Sequence, residues 1–131
     1  MHEVLQPAGW PRPKGYANGI KATGATVYTA GVIGWNEQEI FEHTDLVGQL
    51  RQALLNTKAI LAEAGAKPEH IVRMTWYVCD RSEYAGQLAE IGAVWREVMG
   101  RVFPCMTCVQ VAALIENVAR IEIETTAVIP D

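Results

Sequence analysis

The stretch Ile71-Val72-Arg73-Met74-Thr75-Trp76-Tyr77-Val78-Cys79 carries the clearest strand pattern in the chain. Side chains of a β-strand alternate between two faces, so every second residue shares a face. We therefore predict a strand over 71–79 in the middle of a sheet, with an apolar face in the core and a mixed face opposite. The apolar face is Val72, Met74, Trp76 and Val78, and the mixed face is Ile71, Arg73, Thr75, Tyr77 and Cys79.

Four further strands are predicted around this one. Two short strands lie within residues 20–33 and are joined by a tight hairpin turn at Thr23-Gly24-Ala25. The other two run from Met106 to Leu114 and from Ala119 to Ile129. In the last strand the two faces differ, with Ile121, Ile123, Thr125 and Ala127 on one and Glu122, Glu124 and Thr126 on the other.

Two helices are predicted between the strands. The first runs from Thr44 to Ala64, with Thr44 as the N-cap and Gly65 as the stop. The second runs from Ser82 to Met99, with Ser82 as the cap and Gly100 as the stop. Helical spacing predicts two buried stripes, namely Leu46, Leu50, Leu54, Ile60, Leu61 and Ala64 in the first helix and Leu88, Ile91, Trp95, Val98 and Met99 in the second.

The resulting order, β-β-α-β-α-β-β, predicts one domain over residues 1–131 with an α+β fold. A mixed β-sheet carries both helices on one face, because two helices cover only one face of such a sheet. The uncovered face includes Tyr77, Cys79, Gln110 and Ala112, which is too apolar for water and too polar for a core. We therefore expect this face to be buried against other copies of the same chain.

The composition narrows the possible functions. Half of the residues are apolar, a fifth are charged and the net charge is −4, as in ordinary soluble proteins. No apolar run is long enough to span a membrane, and the N-terminus lacks signal-peptide features, so we expect a cytoplasmic location. The absence of a basic run disfavours nucleic-acid binding.

The cysteines predict neither a disulfide framework nor a metal site. There are three, an odd number, and a cytosolic chain keeps its thiols reduced. Cys105 and Cys108 have the spacing of a CxxC motif, but residues three apart on a strand point to opposite faces. A lone Cys108 is more typical of a small buried side chain than of a nucleophile. We expect no metal and no organic cofactor.

Several short motifs occur in an order and spacing that resemble one known family over nearly the whole chain. They are Gly15-Tyr16-Ala17-Asn18-Gly19, Val27-Tyr28-Thr29-Ala30-Gly31, the helix segment 56–65, Phe103-Pro104 and Ile121-Glu122-Ile123-Glu124. The chain resembles the RidA/YjgF/UK114 family of small imine and enamine deaminases, parts of which carry an endoribonuclease L-PSP label. The resemblance implies a chorismate-mutase-like fold and a homotrimer around a central barrel. Three clefts between subunits would hydrolyse reactive imines without a cofactor.

The resemblance also implies site residues, all of which would line the cleft. Tyr16, Gly31, Cys108 and Glu122 fall on matching positions, and Glu122 would help to position the water. The main departure is Met106, which stands where the family has an arginine that clamps the substrate carboxylate. Further departures in the same set are Ala30, Val32 and Gly92, and the loop residue Trp35 is a candidate pocket wall.

The loss of the arginine leaves two readings open. A guanidinium holds a carboxylate with two charge-assisted hydrogen bonds, whereas a thioether has neither charge nor donor. Its loss is expected to cost roughly 10²–10³-fold in capture of a carboxylate substrate. The chain is then either a deaminase for a more apolar imine, which fits Met106, Val32 and Trp35, or a trimer that binds a small molecule or a partner without chemistry. A ribonuclease is disfavoured by the acidic composition.

Overall fold

The computed structural model describes residues 2–131. Its strands are β1 (Glu3–Leu5), β2 (Gly19–Lys21), β3 (Gly24–Tyr28), β4 (Val32–Ile33), β5 (Ile71–Val78), β6 (Cys105–Gln110) and β7 (Ile121–Pro130). Its helices are α1 (Leu46–Glu63), α2 (Arg81–Gly86) and α3 (Leu88–Met99), and Pro68–His70 forms a 3₁₀ turn before β5. No helix among the described residues is long and apolar enough to cross a membrane.

The main sheet has the strand order β3-β7-β5-β6, and β4 also pairs with β7. Only β5 and β6 run parallel, whereas β7 is antiparallel to β3, β4 and β5. This confirms the predicted α+β fold with a mixed sheet. A separate two-stranded sheet joins β1 to β2.

The core lies between the helices and one face of this sheet. Met74, Trp76 and Val78 of β5 are buried there, as their alternation predicts. Ile71 is buried too and Val72 is only half-buried, although the alternation predicts Val72 in the core and Ile71 on the mixed face. The register of β5 against β7 shifts between Ile71 and Arg73, and such a bulge turns the side chains before it towards the other face.

The predicted hairpin at residues 23–25 is wrong. Strand β2 pairs with the N-terminal β1, which the sequence analysis missed, and β3 pairs with β7 instead. Gly24 has a φ of +144°, and a Cβ there would lie 2.8 Å from the carbonyl carbon of Ile129. The glycine therefore allows the chain to lie directly against β7, which offers β3 five paired positions.

The helix limits differ from the prediction because carboxylates, not hydroxyls, cap both starts. Asp45 accepts a hydrogen bond of 2.9 Å from the Gly48 amide at the start of α1. Asp80 accepts from the amides of Ser82 and Glu83 at 2.9 and 3.2 Å. The second predicted helix is also interrupted, since Gln87 with a φ of −126° separates α2 from α3.

Three residues assigned to buried helix stripes lie at the surface. Ile60 and Leu88 are 43% and 57% exposed, and Ala64 is the exposed C-cap of α1. The buried face of α1 instead includes Gln49, Ala53 and Thr57. The strand predicted to reach Leu114 ends at Gln110, after which Val111 donates one more hydrogen bond to the Val78 carbonyl at 2.9 Å.

A buried glutamine fastens α1 to the start of β7. Gln49 is fully buried, and its amide nitrogen donates to the carbonyls of His43 and Val118 at 3.1 and 2.9 Å. Its amide oxygen accepts from the Arg120 backbone amide at 2.7 Å. One side chain thus pairs one backbone group that precedes α1 and two that precede β7. Without Gln49, these groups would lack these hydrogen-bond partners.

Replacing Gln49 by leucine should destabilise the protein by about 3 kcal/mol, because it leaves three backbone groups without partners. Urea unfolding at fixed protein concentration measures this change. Gln52→Leu on the same helix is the matched control, since Gln52 bonds only to the Asn56 side chain. Equal losses in the two variants would show that the Gln49 hydrogen bonds contribute little.

Candidate functional site

The first candidate site is a cavity of about 480 Å³ between β6, α3 and the N-terminal arm, which is residues 6–18 between β1 and β2; it is here called the β6 cavity. The arm is held there because the Ala17 amide donates to the Pro104 carbonyl at 3.1 Å and Ala17 pairs with Cys105. This contact brings Tyr16 beside Met106. The cavity is lined by Lys14, Gly15, Tyr16, Trp76, Tyr84, Leu88, Ile91, Gly92, Trp95, Arg96, Arg101, Phe103 and Met106.

The floor of the β6 cavity is apolar and aromatic. Met106 pairs in register with the buried Met74, so its side chain is on the helix side of the sheet. The rings of Trp76 and Trp95 lie 5.9 Å apart, and the Trp95 indole donates to the Val102 carbonyl at 2.9 Å. Gly92 contributes no side chain, and a Cβ there would meet only Arg96, with Nη1 at 3.4 Å. The cavity therefore owes part of its space to this glycine.

Cys108 lies on the same helix side of β6 as Met106, next to Tyr84. The Cys108 side chain is exposed in the single chain, so its interpretation as a small buried side chain is wrong. Desolvation by the neighbouring atoms still raises the pKa of its thiol, and a hydrogen bond from Tyr84 opposes this effect. Burial also raises the pKa of Tyr84 to about 12. Both groups are therefore neutral near pH 7, which makes Cys108 a weak nucleophile.

Cys105 lies on the other face of β6. It pairs with Arg73, whose charge lowers the pKa of the Cys105 thiol against a larger rise from burial. The CxxC pair therefore points to opposite faces, as the strand geometry predicts. Among residues 2–131, no cluster of three His, Cys, Asp or Glu side chains is arranged to hold a metal ion.

Iodoacetamide should alkylate Cys105 and Cys108 more slowly at pH 7 than it alkylates a cysteine in an unfolded peptide. The raised pKa of each thiol lowers its thiolate fraction, so the rates should rise only above the pH range of an ordinary thiol. Peptide mapping by mass spectrometry across pH 6–10 follows each residue, with the urea-unfolded chain as the control. Rapid modification of Cys108 at pH 7 would contradict this.

The second candidate site is a cavity of about 570 Å³ at the opposite edge of the sheet, here called the β7 cavity. Glu122 is half-buried there and pairs with Ile33 of β4 and Tyr77 of β5. Its carboxylate lies over Gly31 so closely that a Cβ at residue 31 would overlap it. Any larger residue at position 31 would displace the carboxylate.

Trp35 also lines the β7 cavity. Its position depends on Asn56 of α1, whose amide donates to the carbonyls of Ile33 and Trp35 at 3.1 and 2.7 Å. The Trp35 ring packs against Phe41 at 5.7 Å. The exposed side chains of Ile60 and Ile115 add apolar surface to the same cavity.

The six sequence-predicted residues thus divide between two places. Tyr16 and Met106 line the β6 cavity with Cys108 nearby, whereas Gly31, Trp35 and Glu122 line the β7 cavity. Met106 follows the register of Met74 on the helix side, and Glu122 follows that of Tyr77 on the opposite side of the sheet. The two sets therefore do not converge within one chain.

The uncovered face of the sheet is polar and aromatic. Tyr77 donates a 2.6 Å hydrogen bond to Glu124, and this bond, followed by burial and the nearby carboxylates, raises the pKa of Tyr77. Tyr28 and Val109 on this face are 74% and 41% exposed. Nothing in the described part of one chain covers these side chains.

Comparison with known proteins agrees with this architecture. The family model described as Endoribonuclease L-PSP matches residues 11–129. The chain is 37% identical over 113 residues to the 2-iminobutanoate/2-iminopropanoate deaminase of Escherichia coli strain K12. This alignment covers 86% of each chain. The chain thus belongs to the endoribonuclease L-PSP family, the RidA/YjgF family that its motifs resemble.

Solved structures of the family share the fold. That of YyfB from Yersinia pestis, a Rid-family protein of unknown function, matches with a TM-score of 0.86 at 30% identity and covers 98% of both chains. The structure of E. coli TdcF with bound serine has a TM-score of 0.68 at 30% identity and covers 97% of this chain and 98% of that one.

Sequence reasoning missed several residues that build the β6 cavity. The sequence predicts Trp76 and Trp95 in the core, where they pack, but they also form the cavity floor. Nothing in the sequence marks Tyr84 and Arg96, because the periodicity predicts a single amphipathic helix over α2 and α3. A polar residue at helical spacing carries no sign of which cavity it borders.

Proposed function

We propose that this protein hydrolyses a reactive imine or enamine to a carbonyl compound and ammonia. The observation that carries the proposal is the Glu122 carboxylate, held over Gly31 in a cavity, in a chain whose E. coli relative is named an imine deaminase. Hydrolysis of an imine requires a positioned water and groups that move protons, which one carboxylate can supply.

In the proposed reaction, Glu122 accepts a proton from water as the oxygen adds to the imine carbon. The C=N double bond becomes a single bond, and its nitrogen takes up a proton to give a carbinolamine. Transfer of the hydroxyl proton to nitrogen then breaks the C–N bond, so that ammonia leaves and a C=O bond forms. The sum is imine plus water giving carbonyl compound plus ammonia, and it needs no cofactor.

The reaction would take place between copies of the chain. Met106 and Glu122 lie on opposite faces of one sheet, so a site that uses both needs the β6 cavity of one copy and the β7 cavity of another. The exposed Tyr28 and Val109 on the uncovered face give such copies a surface to bury. We therefore propose a homotrimer with three composite clefts.

Sedimentation at micromolar concentration should give the mass of a trimer. Val109→Lys should shift the protein towards smaller species and lower its activity, because it places a charge in the proposed interface while the residue is exposed in the single chain. Circular dichroism checks that the variant keeps its fold. A monomeric wild-type protein would overturn the composite cleft.

Wild-type protein should accelerate keto-acid release from imines generated in the assay by an amino-acid oxidase or a dehydratase. Glu122→Gln should lower the rate by about 10²-fold or more, because the amide cannot accept the proton of water. Glu63→Gln, at the exposed last residue of α1 and outside both cavities, is the control. Unchanged activity in Glu122→Gln would remove its proposed role.

A second candidate function is supported by Met106. Its apolar side chain, with Ala30 and Val32, offers no charged group to hold a carboxylate on the strands, which suits a trimer that binds a ligand or partner without chemistry. Met106→Arg separates the readings, since a guanidinium there should raise capture of small 2-imino acids by roughly 10²-fold if the water-activating half is intact. No activity towards any imine, in wild type or variant, would favour the binding protein.

A further inference from the structure

The chemical character of the β6 cavity points to its ligand. Its floor is made of Trp76, Trp95, Ile91 and Met106, whereas Lys14, Arg96 and Arg101 also line it. No acidic residue is among its lining residues in the described chain. A large apolar surface bordered by cationic groups is suited to a ligand that is apolar at one end and anionic at the other.

Two residues shape the space in this cavity: Met106 has a flexible apolar side chain, and Gly92 has no side chain. Met106 presents a flexible thioether, which adapts its shape to an apolar partner and makes favourable contacts with aromatic rings. Gly92 leaves a gap in α3 although glycine costs about 1 kcal/mol relative to alanine in a helix interior. The resulting volume of about 480 Å³ lies within the range of sites that take drug-sized molecules.

The three cations are free to bind an anion. Arg51 pairs with Glu97 and Arg120 with Glu83, but among residues 2–131 Lys14, Arg96 and Arg101 are in no ion pair. The Arg96 guanidinium lies along α3 beside Gly92, with Nη1 at 3.4 Å from the position of a Cβ there. This concentration of positive charge is local, because the whole chain has a net charge of −4.

We propose that the β6 cavity binds a 2-imino acid with a large aromatic side chain, with the ring on the Trp76, Trp95 and Met106 floor. The carboxylate is held by Arg96 and Arg101 from α3 and the loop after it. The carboxylate clamp is thereby supplied by the helix side of the cavity and not by strand β6. The imino group of the ligand rests on the proposed imine hydrolysis. The binding of an aromatic carboxylate does not depend on that function.

Isothermal titration calorimetry with phenylpyruvate and 2-oxobutanoate tests the binding. These stable 2-oxo acids are the hydrolysis products of an aromatic and a small imino acid. Phenylpyruvate should bind about tenfold or more tightly than 2-oxobutanoate, because burial of the ring adds apolar contact. Equal or tighter binding of 2-oxobutanoate would overturn the proposal.

Two sets of variants test the assigned contacts. Arg96→Gln and Arg101→Gln together should weaken phenylpyruvate binding by about tenfold or more, because charge-assisted hydrogen bonds are lost. Lys21→Gln, an exposed cation on β2, is the matched charge control and should bind like wild type. Equal loss in the control, or none in the double variant, would overturn the clamp.

Filling the gap at residue 92 tests the position of the ring. Gly92→Leu should abolish phenylpyruvate binding, whereas Gly92→Ala should keep the fold and lose less, since its Cβ fits with only a 3.4 Å contact to Arg96. Thermal melting of both variants shows whether they fold. Unchanged binding in a folded Gly92→Leu protein would place the ligand elsewhere.

Comparison of imine hydrolysis separates this inference from the proposed function. With imines of phenylalanine and 2-aminobutanoate, kcat/KM should be higher for the aromatic one. Selective phenylpyruvate binding that depends on Arg96 and Arg101, without hydrolysis of either imine, would support the site and reject the deaminase. Hydrolysis that prefers the small imine, without selective binding, would support the deaminase and reject the aromatic site.

Discussion

Strand β5 lies between β6 and β7, and its side chains alternate between a helix-covered face and a face that nothing in the described chain covers. Because β5 pairs with a strand on each side, the side chains of paired residues in β6 and β7 lie on the same face as their partners in β5. Met106 therefore follows Met74 to the helix side, and Glu122 follows Tyr77 to the open side. A single residue of slip would exchange these faces, so the strand register decides where chemistry can be assembled.

This register separates the two halves of the proposed site within one chain, so the proposed reaction requires a second copy of the chain. The open face carries Arg73, Tyr77 and Glu124, which are too polar for a core and include a short Tyr77–Glu124 hydrogen bond. Such a face is suited to burial against identical copies, where polar groups find partners. Glu122 and Gly31 lie where β7 pairs with β4, whereas Met106 lies on the edge strand β6 beside the cavity that Tyr16 also lines.

The proposed clamp would relocate a binding group without a change of fold. An arginine on a strand and arginines on an adjacent helix present the same donors to a carboxylate from different directions. In this chain Met106 and Gly92 leave an apolar space, and Arg96 and Arg101 stand beside it. Specificity would then depend on the size of the apolar part of the ligand, because the proposed anion-binding arginines border the same space as the apolar floor.

The amino-acid sequence alone predicts the α+β class, the central strand, the two faces of β7 and the family. Those features follow from local periodicity and from motifs that lie close together in the chain. It did not determine that β2 pairs with β1, that Ile71 turns into the core at a bulge, or that Gln49 joins the helix to β7. Nor did it place Trp76, Trp95 and Arg96 around one cavity. These points emerge only when the chain folds, because each depends on contacts between segments far apart in sequence, where a residue's neighbours and not its own type set its role.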